Sequence, residues 1–368
     1  MQFTLSRTEL LNNLQAVKSV IQSKNTNPIL DNFLFEIDNG KLTVWGSTGE
    51  TTMKAFMQLD VEAGNSFAVP AEKLVDTLKN LPEQPLTFQL EDSQLRILAE
   101  NGKYSLPVFP GADFPKPAGL DGAFEREIPG SLLAEAISKS IFACGNDEMR
   151  PMLNGILFHF KPEALNFVAT DSHKLVKYTV KNIHGDENEY IFPQKPAQIV
   201  KALTATDEEP VKMKFSDRAA ELTFGNFVLN TTLIMGKFPN YDLVIPQENP
   251  YALVVNRDLL LQALKRTAIY TSKTTHLVRL DFQGAQMTIV ARNEEMASEA
   301  VETMTVNYEG DDISIGFNVK SLIEVLSHLD SEEVQMTMSA PNRPVLISPV
   351  EGVGENEEII MLLMPISF

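Results

Sequence analysis

The chain has 368 residues, of which 43% are hydrophobic and 22% charged, a composition typical of folded domains and not of disordered segments. Its formal net charge of -18 at pH 7 argues against strong adhesion to a polyanion such as nucleic acid. The single cysteine, Cys144, excludes an internal disulfide, no apolar run reaches the roughly 20 residues of a membrane span, and no basic and apolar leader follows Met1, so we expect a cytoplasmic protein.

The first predicted elements are a short strand over residues 3–5 and a helix over residues 6–21. Leu10, Leu14 and Val17 recur at three- and four-residue spacing, which places them on one helix face. Ser6 and Glu9 stand where a capping box would satisfy free amides of the first turn. The chain therefore opens with a strand followed by an amphipathic helix.

The same succession of elements returns twice, with a period of about 125 residues. The leucine pair of the first helix, at residues 10–11, has counterparts at 132–133 and 259–260. Val69-Pro70, which ends a strand before a second helix, corresponds to Phe192-Pro193 and Phe317-Asn318, and Phe114-Pro115 to Phe238-Pro239 and Met364-Pro365. The repeat predicts helices over residues 6–21, 71–81, 131–143, 195–203, 257–268 and 319–329.

Apolar and polar residues alternate between and after these helices, which is typical of half-buried strands. Residues 33–44 and 156–168 alternate around the hairpin turns Asn39-Gly40 and Lys161-Pro162-Glu163, and residues 86–90 and 211–215 alternate in the same way. The fold class is therefore predicted to be α+β, with antiparallel sheets and two helices in each of three repeated domains. We place the domains at residues 1–121, 122–248 and 249–368, with boundaries at turn-forming and charged segments.

The charges are distributed unevenly between the predicted helices and the rest of the chain. The helices carry eleven basic and six acidic side chains, although the whole chain is strongly acidic. Lysine and arginine also favour helices for reasons unrelated to binding, but glutamate is an equally good helix former and is not enriched in them. Scattered lysines suit phosphates of any sequence, so any nucleic acid is expected to be bound weakly and without sequence preference.

The sequence offers little for catalysis. Asp171-Ser172-His173 brings reactive side chains together, but neighbours on a strand or turn point apart, whereas a catalytic triad must converge. Gly352-Val353-Gly354 lacks the third glycine of a dinucleotide-binding loop and is typical of a hairpin tip. The five histidines show no spacing typical of metal ligands. We therefore expect a non-catalytic protein without metal or cofactor.

Four segments resemble the bacterial DNA polymerase III beta subunit, the sliding clamp family. They are residues 169–175, the pair Phe238-Pro239 followed by Tyr241, residues 315–319, and Met364-Pro365-Ile366. The resemblance implies a DNA-clamp fold in which two chains close head to tail into a ring around duplex DNA, with helices inside and sheets outside. Helices packed about 10 Å apart support a dimer, because twelve leave a hole roughly 28 Å wide, whereas six leave too little for a duplex.

The resemblance also implies a groove that receives short peptides with glutamine and leucine or phenylalanine anchors, from DNA polymerase III alpha subunit, the clamp loader and repair polymerases. Its expected residues are Leu153, Thr170, Ser172, His173, Lys174, Leu175, Pro239, Val244, Asn318, Leu362, Met364, Pro365 and Ile366. Leucine and methionine walls suit this role because they repack around different anchors. Three residues depart from the family pattern: Leu243, Ser321 and Asn342. Ser321 and Asn342 are expected to affect which peptides the second subsite prefers.

The same resemblance implies DNA-facing and dimer-forming residues. Those expected to face DNA are Lys24, Arg150, Lys195, Lys201, Lys265 and Arg266. Glu72, Asp147 and Gln194 replace uncharged or basic residues of the family and weaken the expected contact with DNA. In the dimer, Tyr104 and Leu106 of one chain, with Lys73 near, are expected to meet Ile269 and Tyr270 of the other.

Two alternatives remain at this stage. A repeat-built binding scaffold could share this architecture without encircling DNA, and would then remain no longer on circular than on linear DNA. The second alternative is a hydrolase that uses His173. A His173→Ala variant that loses no turnover of generic esters or phosphodiesters would exclude it.

Overall fold

The computed structural model describes residues 1–22, 25–62, 64–91, 93–120 and 123–368. Within these residues there are six α-helices: α1 (Arg7–Lys18), α2 (Ala71–Lys79), α3 (Gly130–Ser140), α4 (Gln194–Thr204), α5 (Arg257–Ala268) and α6 (Val319–Ser327). All six predicted helices are confirmed. The first, second, third and sixth end two or three residues earlier than predicted, and after the third, residues 141–143 form a separate 3-10 turn. None of the helices in the described ranges is long and apolar enough to cross a membrane.

The rest of the regular structure is β-strand. In chain order the strands are β1 (Gln2–Ser6), β2 (Asn32–Asp38), β3 (Lys41–Ser47), β4 (Thr51–Gln58), β5 (Asn65–Pro70), β6 (Pro85–Glu91), β7 (Gln94–Ala99), β8 (Gly102–Pro107), β9 (Phe109–Pro110), β10 (Phe124–Pro129), β11 (Gly155–Lys161), β12 (Ala164–Thr170), β13 (Lys174–Lys181), β14 (Asn188–Pro193), β15 (Pro210–Phe215), β16 (Ala219–Phe224), β17 (Phe227–Thr232), β18 (Tyr251–Asn256), β19 (Leu277–Gln283), β20 (Gln286–Asn293), β21 (Ser298–Thr305), β22 (Asn307–Glu309), β23 (Ile313–Asn318), β24 (Glu333–Met338), β25 (Val345–Pro349) and β26 (Glu357–Leu363).

Local sequence explains where these elements begin and turn. The Ser6 hydroxyl accepts the amide of Glu9 at 3.3 Å and starts α1, whose Leu10 and Leu14 are fully buried. Between β2 and β3, Asn39 and Gly40 have φ of +48° and +73°, the left-handed geometry of a tight hairpin turn. The predicted capping residue and the predicted hairpin are therefore both present.

The chain forms two compact units, each made of two segments. Unit 1 contains Met1–Glu135 and Lys195–Leu233, and unit 2 contains Ala136–Gln194 and Ile234–Phe368. The predicted domain limits near residues 121 and 248 stay predictions, and Asp121 and Gly122 lie outside the described residues.

The two units have matching sheets, all built from antiparallel neighbours. Unit 1 has a four-stranded sheet in the order β1-β6-β7-β8 and a nine-stranded sheet in the order β10-β15-β16-β17-β4-β3-β2-β5-β9. Unit 2 has a four-stranded sheet in the order β21-β20-β19-β23 and a nine-stranded sheet in the order β14-β11-β12-β13-β26-β25-β24-β18-β22. Eight consecutive strands of one large sheet thus have counterparts in the other.

Each large sheet is shared between two copies of the repeat. In unit 1, β17 of the second repeat pairs with β4 of the first, and Leu229 lies opposite Met53. In unit 2, β26 of the third repeat pairs with β13 of the second, and Met361 lies opposite Val176. All four side chains are fully buried. The last strand of one repeat therefore joins the preceding repeat through a buried apolar seam.

Candidate functional site

An apolar cluster lies on one face of the large sheet of unit 2. We call it the groove cluster, and its buried members are Leu153, Leu157, Val168, Leu175, Ile191, Phe238, Tyr241 and Leu362. Strand register explains their common face, because Leu157 lies opposite Val168 and Leu175 opposite Leu362. Less buried apolar side chains surround it: Met152, Ile234, Ile245, Leu346 and Met364.

The segment over residues 238–245 covers one side of this cluster. Phe238 and Tyr241 are buried in it, whereas Leu243 and Val244 are 81% and 49% exposed. The Tyr241 hydroxyl lies 2.8 Å from His159 Nδ1 and 3.1 Å from Asn166 Nδ2. Burial raises the pKa of Tyr241, so its hydroxyl stays protonated and able to hold these partners.

A tight turn over residues 170–174 forms another side. Asp171 Oδ1 accepts the amides of His173 and Lys174, both at 2.8 Å, and Thr170 Oγ1 accepts the amide of Ser172 at 3.1 Å. Ser172 has a φ of +79°, and its hydroxyl accepts a hydrogen bond from Arg150 Nη1 at 2.6 Å. Ser172 and His173 are exposed at the tip of this turn.

Beneath the turn, Lys174 is only 8% exposed. Its Nζ lies 3.1 Å from Asp171 Oδ2 and 2.8 Å from Glu324 Oε2 on α6. Burial alone would lower the pKa of Lys174, but the hydrogen bond with Glu324 and the charge of Asp171 outweigh it, and the pKa is raised. Lys174 therefore remains a cation below the turn.

The C-terminal segment completes the site. The Met364 amide donates to the His173 carbonyl, and the Ile366 amide to the Gly316 carbonyl, each at 2.8 Å. The Asn318 side chain caps α6 by accepting the amides of Lys320 and Ser321. The half-buried Pro365 thus lies between a segment bonded to the turn and a segment bonded to β23.

Unit 2 holds all thirteen residues predicted for the groove. Four are exposed: Ser172, His173, Pro239 and Val244. Four are half-buried: Asn318, Met364, Pro365 and Ile366. Five are buried: Leu153, Thr170, Lys174, Leu175 and Leu362.

Sequence reasoning missed several contributors to this site. Leu157 and Val168 could have been added, since their strands alternate in phase with Leu175. Arg150 was expected to face DNA, but its guanidinium binds Asp147 at 2.9 Å and Ser172 at 2.6 Å. Glu324, some 150 residues from Lys174 along the chain, gave no sequence signal.

The structure gives no support to a catalytic triad at Asp171-Ser172-His173. The Asp171 carboxylate is occupied by two backbone amides and by Lys174, and the Ser172 hydroxyl is bonded to Arg150 instead of a histidine. Across the described parts of the chain, no group of three or more His, Cys, Asp or Glu side chains could hold a metal ion.

The residues expected to face DNA have unequal freedom. Lys24 lies outside the described residues. Lys195 on α4 and Lys265 on α5 are exposed, and Lys201 on α4 is half-buried. Arg266 is held by Glu302 of β21 through two hydrogen bonds of 2.8 and 2.6 Å, which offsets its charge.

The residues expected at the dimer contact also differ in exposure. In unit 1, Lys73 on α2 is exposed, Tyr104 on β8 is 38% exposed and Leu106 is already buried. In unit 2, Ile269 and Tyr270, just after α5, are 79% and 41% exposed. Within the described strands, β8 and β21 are sheet edges with a neighbour on one side only.

Three family models match successive parts of the chain. They describe the N-terminal, central and C-terminal domains of the DNA polymerase III beta subunit, and match residues 1–118, 127–240 and 242–367. Full-length relatives agree. The beta sliding clamp of Pseudomonas putida is 30% identical over 365 residues, covering 98% of this chain and 99% of the relative. That of Escherichia coli K12 is 31% identical over 342 residues, covering 92% and 93%.

Solved structures give the same result. A DnaN sliding clamp of Pseudomonas aeruginosa bound to griselimycin has a TM-score of 0.95 and 29% identity, with 100% of both chains covered. The DNA polymerase III beta subunit of Thermotoga maritima has a TM-score of 0.91 and 26% identity, covering 100% of this chain and 99% of that one. This protein therefore belongs to the bacterial DNA polymerase III beta subunit family, the beta sliding clamps.

Proposed function

We propose that two copies of this chain close head to tail into a ring around duplex DNA, and that the groove cluster holds short peptides of partner proteins. Beta sliding clamps are non-catalytic processivity factors of DNA polymerase III, and this chain is a processivity factor of DNA replication. In this proposal the domains span residues 1–121, 122–248 and 249–368. The protein acts in the cytoplasm, where a bacterium replicates its DNA.

The pairing of the repeats carries the proposal. The last strand of the second repeat, β17, pairs with β4 of the first, and β26 of the third pairs with β13 of the second. The last strand of the first repeat is β8. If it pairs as β17 and β26 do, its partner is the strand of the third repeat that corresponds to β4 and β13. That counterpart is β21. Both β8 and β21 are edges within the described chain, and unpaired edges are templates for pairing with another chain.

The repeat also predicts the register of this pairing. Tyr104 on β8 corresponds to Leu229 on β17 and Met361 on β26. In each repeat this residue lies opposite an equivalent position of the strand that comes before it in the chain. Ala300 corresponds in the same way to Met53 and Val176. Tyr104 of one copy should therefore lie opposite Ala300 of the other. The 38% exposure of Tyr104, where its counterparts are fully buried, supports a missing partner.

Helix ends support the same contact. In unit 2, the end of α3 meets the end of α6: Lys139 donates to the His328 carbonyl at 3.1 Å, and the Phe142 ring stacks on His328 at 3.8 Å. The repeat aligns Phe142 with Ile269 and His328 with Asn80. Ile269 of one copy should therefore reach the end of α2 of the other.

A cavity of about 1020 Å³ lies where this contact is expected. Its lining includes Lys73 and Thr77 of α2, together with Asn80, Leu81 and Tyr104. We propose that Ile269 and Tyr270 of the second copy fill part of it. Burying these exposed apolar side chains supplies the driving force for the contact.

In the ring, DNA is retained by topology and only weakly by contact. Lys24, Lys195, Lys201 and Lys265 are proposed to face it, and Arg150 and Arg266 to contribute less, because Asp147 and Glu302 offset their charges. A net charge of -18 is compatible with this role, since a closed ring needs no adhesion to stay on its track.

The groove is proposed to receive the glutamine and leucine or phenylalanine anchors of peptides from DNA polymerase III alpha subunit, the clamp loader and repair polymerases. Leu175 and Leu362 belong to the buried cluster, Met364 packs against it, and Val244 is exposed in the neighbouring segment over residues 238–245. Methionine and leucine adapt to anchors of different shape, which suits a site shared by several partners.

Disulfide trapping tests the dimer. In a Tyr104→Cys/Ala300→Cys variant, mild oxidation should give a covalent closed dimer, because the paired Cα atoms lie within disulfide range. The matched control Tyr104→Cys/Thr303→Cys moves the second thiol about 10 Å along the strand and should stay uncrosslinked. Equal crosslinking of both variants, or a strict monomer at micromolar concentration, contradicts the proposed contact.

Retention on DNA tests the ring. After loading onto nicked circular DNA, the protein should survive a salt wash, and cutting the circle once should release it. Equal retention on circular and linear DNA favours the scaffold alternative. Negative-stain images of the same sample would show rings directly.

A further inference from the structure

The turn over residues 170–174 is bonded to helix α6 through Glu324, a residue that the sequence did not indicate. The Lys174 side chain is 10% exposed and contacts two carboxylates, Asp171 in its own turn and Glu324 on α6, whose side chains are 25% and 41% exposed. Glu324 belongs to none of the residue sets expected from the family resemblance. Its carboxylate is connected to the groove through Lys174.

The turn needs this support because its conformation is unfavourable. Ser172 at φ +79° is in the left-handed region, which is sterically strained for a residue other than glycine. Asp171 holds the turn from within, and Arg150 holds Ser172 from the side. The bond from Lys174 to Glu324 is the connection from the turn to α6.

The position of α6 matters to the same site. Its first turn is capped by Asn318, which the proposed function includes among the residues of the peptide groove. Met364, on the remaining side, bonds to the His173 carbonyl of the turn. The Lys174–Glu324 bond therefore sets the distance between the turn that carries His173 and the helix that Asn318 caps.

Unit 1 provides an internal comparison. The repeat aligns Lys174 with Thr51, Asp171 with Thr48 and Glu324 with Ile199. There the Thr51 hydroxyl lies 2.9 Å from that of Thr231, with no charged group at any of the three aligned positions. Unit 1 therefore forms this junction without an ion pair. Its turn has Gly49 at φ +92° where unit 2 has Ser172, so the ion pair accompanies the turn whose left-handed position is not a glycine.

We propose that Glu324 is a positioning residue of the peptide groove, acting through Lys174 to hold Ser172 and His173 in their binding geometry. This inference rests on the proposed function of the groove cluster. Removing the carboxylate leaves a buried ammonium with Asp171 alone, and Lys174 is then free to shift with the turn.

Peptide affinity gives the test. The probe is a fluorescein-labelled short peptide with a glutamine and a leucine–phenylalanine pair, followed by anisotropy. Glu324→Gln should weaken binding by about tenfold, or 1.4 kcal/mol. The matched control Lys320→Gln changes one charge on the exposed side of the same helix and should leave affinity unchanged.

A double-mutant cycle separates positioning from general destabilisation. If Glu324 acts through Lys174, Glu324→Gln should add nothing to the loss caused by Lys174→Met. In methyl spectra, Glu324→Gln should shift the Met364 resonance and leave that of Met57, in unit 1, unchanged. Wild-type affinity in Glu324→Gln, the same tenfold loss in the Lys174→Met background, or an unmoved Met364 resonance would overturn the inference.

A further variant distinguishes this inference from the proposed function. Leu175→Thr/Leu362→Asn places in the groove floor the residues that occupy the aligned positions of unit 1, Thr52 and Asn230. If this variant binds peptide like wild type, the groove is not the peptide site and the proposed function fails. If it loses binding while Glu324→Gln does not, only the role of Glu324 fails.

Discussion

The proposed dimer contact makes a prediction about a single side chain. Ile269 is 79% exposed in the single chain, and we propose that it enters the cavity along α2 of a second copy. Ile269→Ala should therefore weaken the dimer without destabilising the fold, because an exposed side chain contributes little to the unfolding free energy.

The size of the effect follows from the carbon atoms removed. Isoleucine exceeds alanine by three carbons, each contributing about 0.8 kcal/mol when buried, so one contact loses about 2.4 kcal/mol. A head-to-tail ring contains this contact twice. The free energy of dimerisation should fall by about 5 kcal/mol, which raises the dissociation constant on the order of a thousandfold or more.

Sedimentation velocity over a dilution series measures this change. Leu259→Ala is the matched control, since Leu259 is 58% exposed near the start of the same helix and lies outside the proposed contact. Wild type and Leu259→Ala should share one dissociation constant, and Ile269→Ala should be monomeric at concentrations where they are dimers. A dissociation constant for Ile269→Ala within threefold of wild type, roughly 0.7 kcal/mol, refutes the reasoning.

Three other predictions concern unit 2. Leu175→Thr/Leu362→Asn should abolish peptide binding in the anisotropy assay while circular dichroism shows a folded chain, because unit 1 accommodates the same pair of residues. Ser172→Val should lower the unfolding free energy by at least about 1 kcal/mol in a denaturant titration, since a β-branched residue is strongly disfavoured at positive φ, whereas Ser172→Gly should not. Burial raises the pKa of the Cys144 thiol to about 12, so at about pH 8 the folded protein should react with iodoacetamide far more slowly than the same protein in denaturant, and equal rates would contradict this.

Local periodicity was enough to predict the helices and hairpins. The α1 stripe and the Asn39-Gly40 turn depend on residues that are neighbours in sequence, and both were found as predicted. The pairing of β17 with β4 could not be read in this way, because it joins strands of different repeats and depends on side chains far apart in sequence. The prediction of antiparallel sheets in three repeated domains therefore did not say which repeats share a sheet.

In the site, too, strand periodicity agrees with some contacts, whereas contacts between distant residues left no sequence pattern. Leu175 and Leu362 lie together as the family resemblance implied, and their strand periodicity agrees with a shared face. The ion pair between Lys174 and Glu324 left no pattern in the sequence, because a single charge on a helix is normally solvated. The partners of Arg150 were not foreseen for a related reason, since a loop arginine reveals them only when the turn at Ser172 is built.

The shared sheets also determine when the protein can finish folding during synthesis. Strand β4 ends at Gln58, but its neighbour β17 begins at Phe227, so the first strand leaves the ribosome long before the second exists. At translation rates of about 5–20 residues per second, the nascent edge waits on the order of ten to thirty seconds. During that interval its free amides and apolar residues are open to aggregation or to chaperones, and unit 1 completes its large sheet only after Thr232 has emerged.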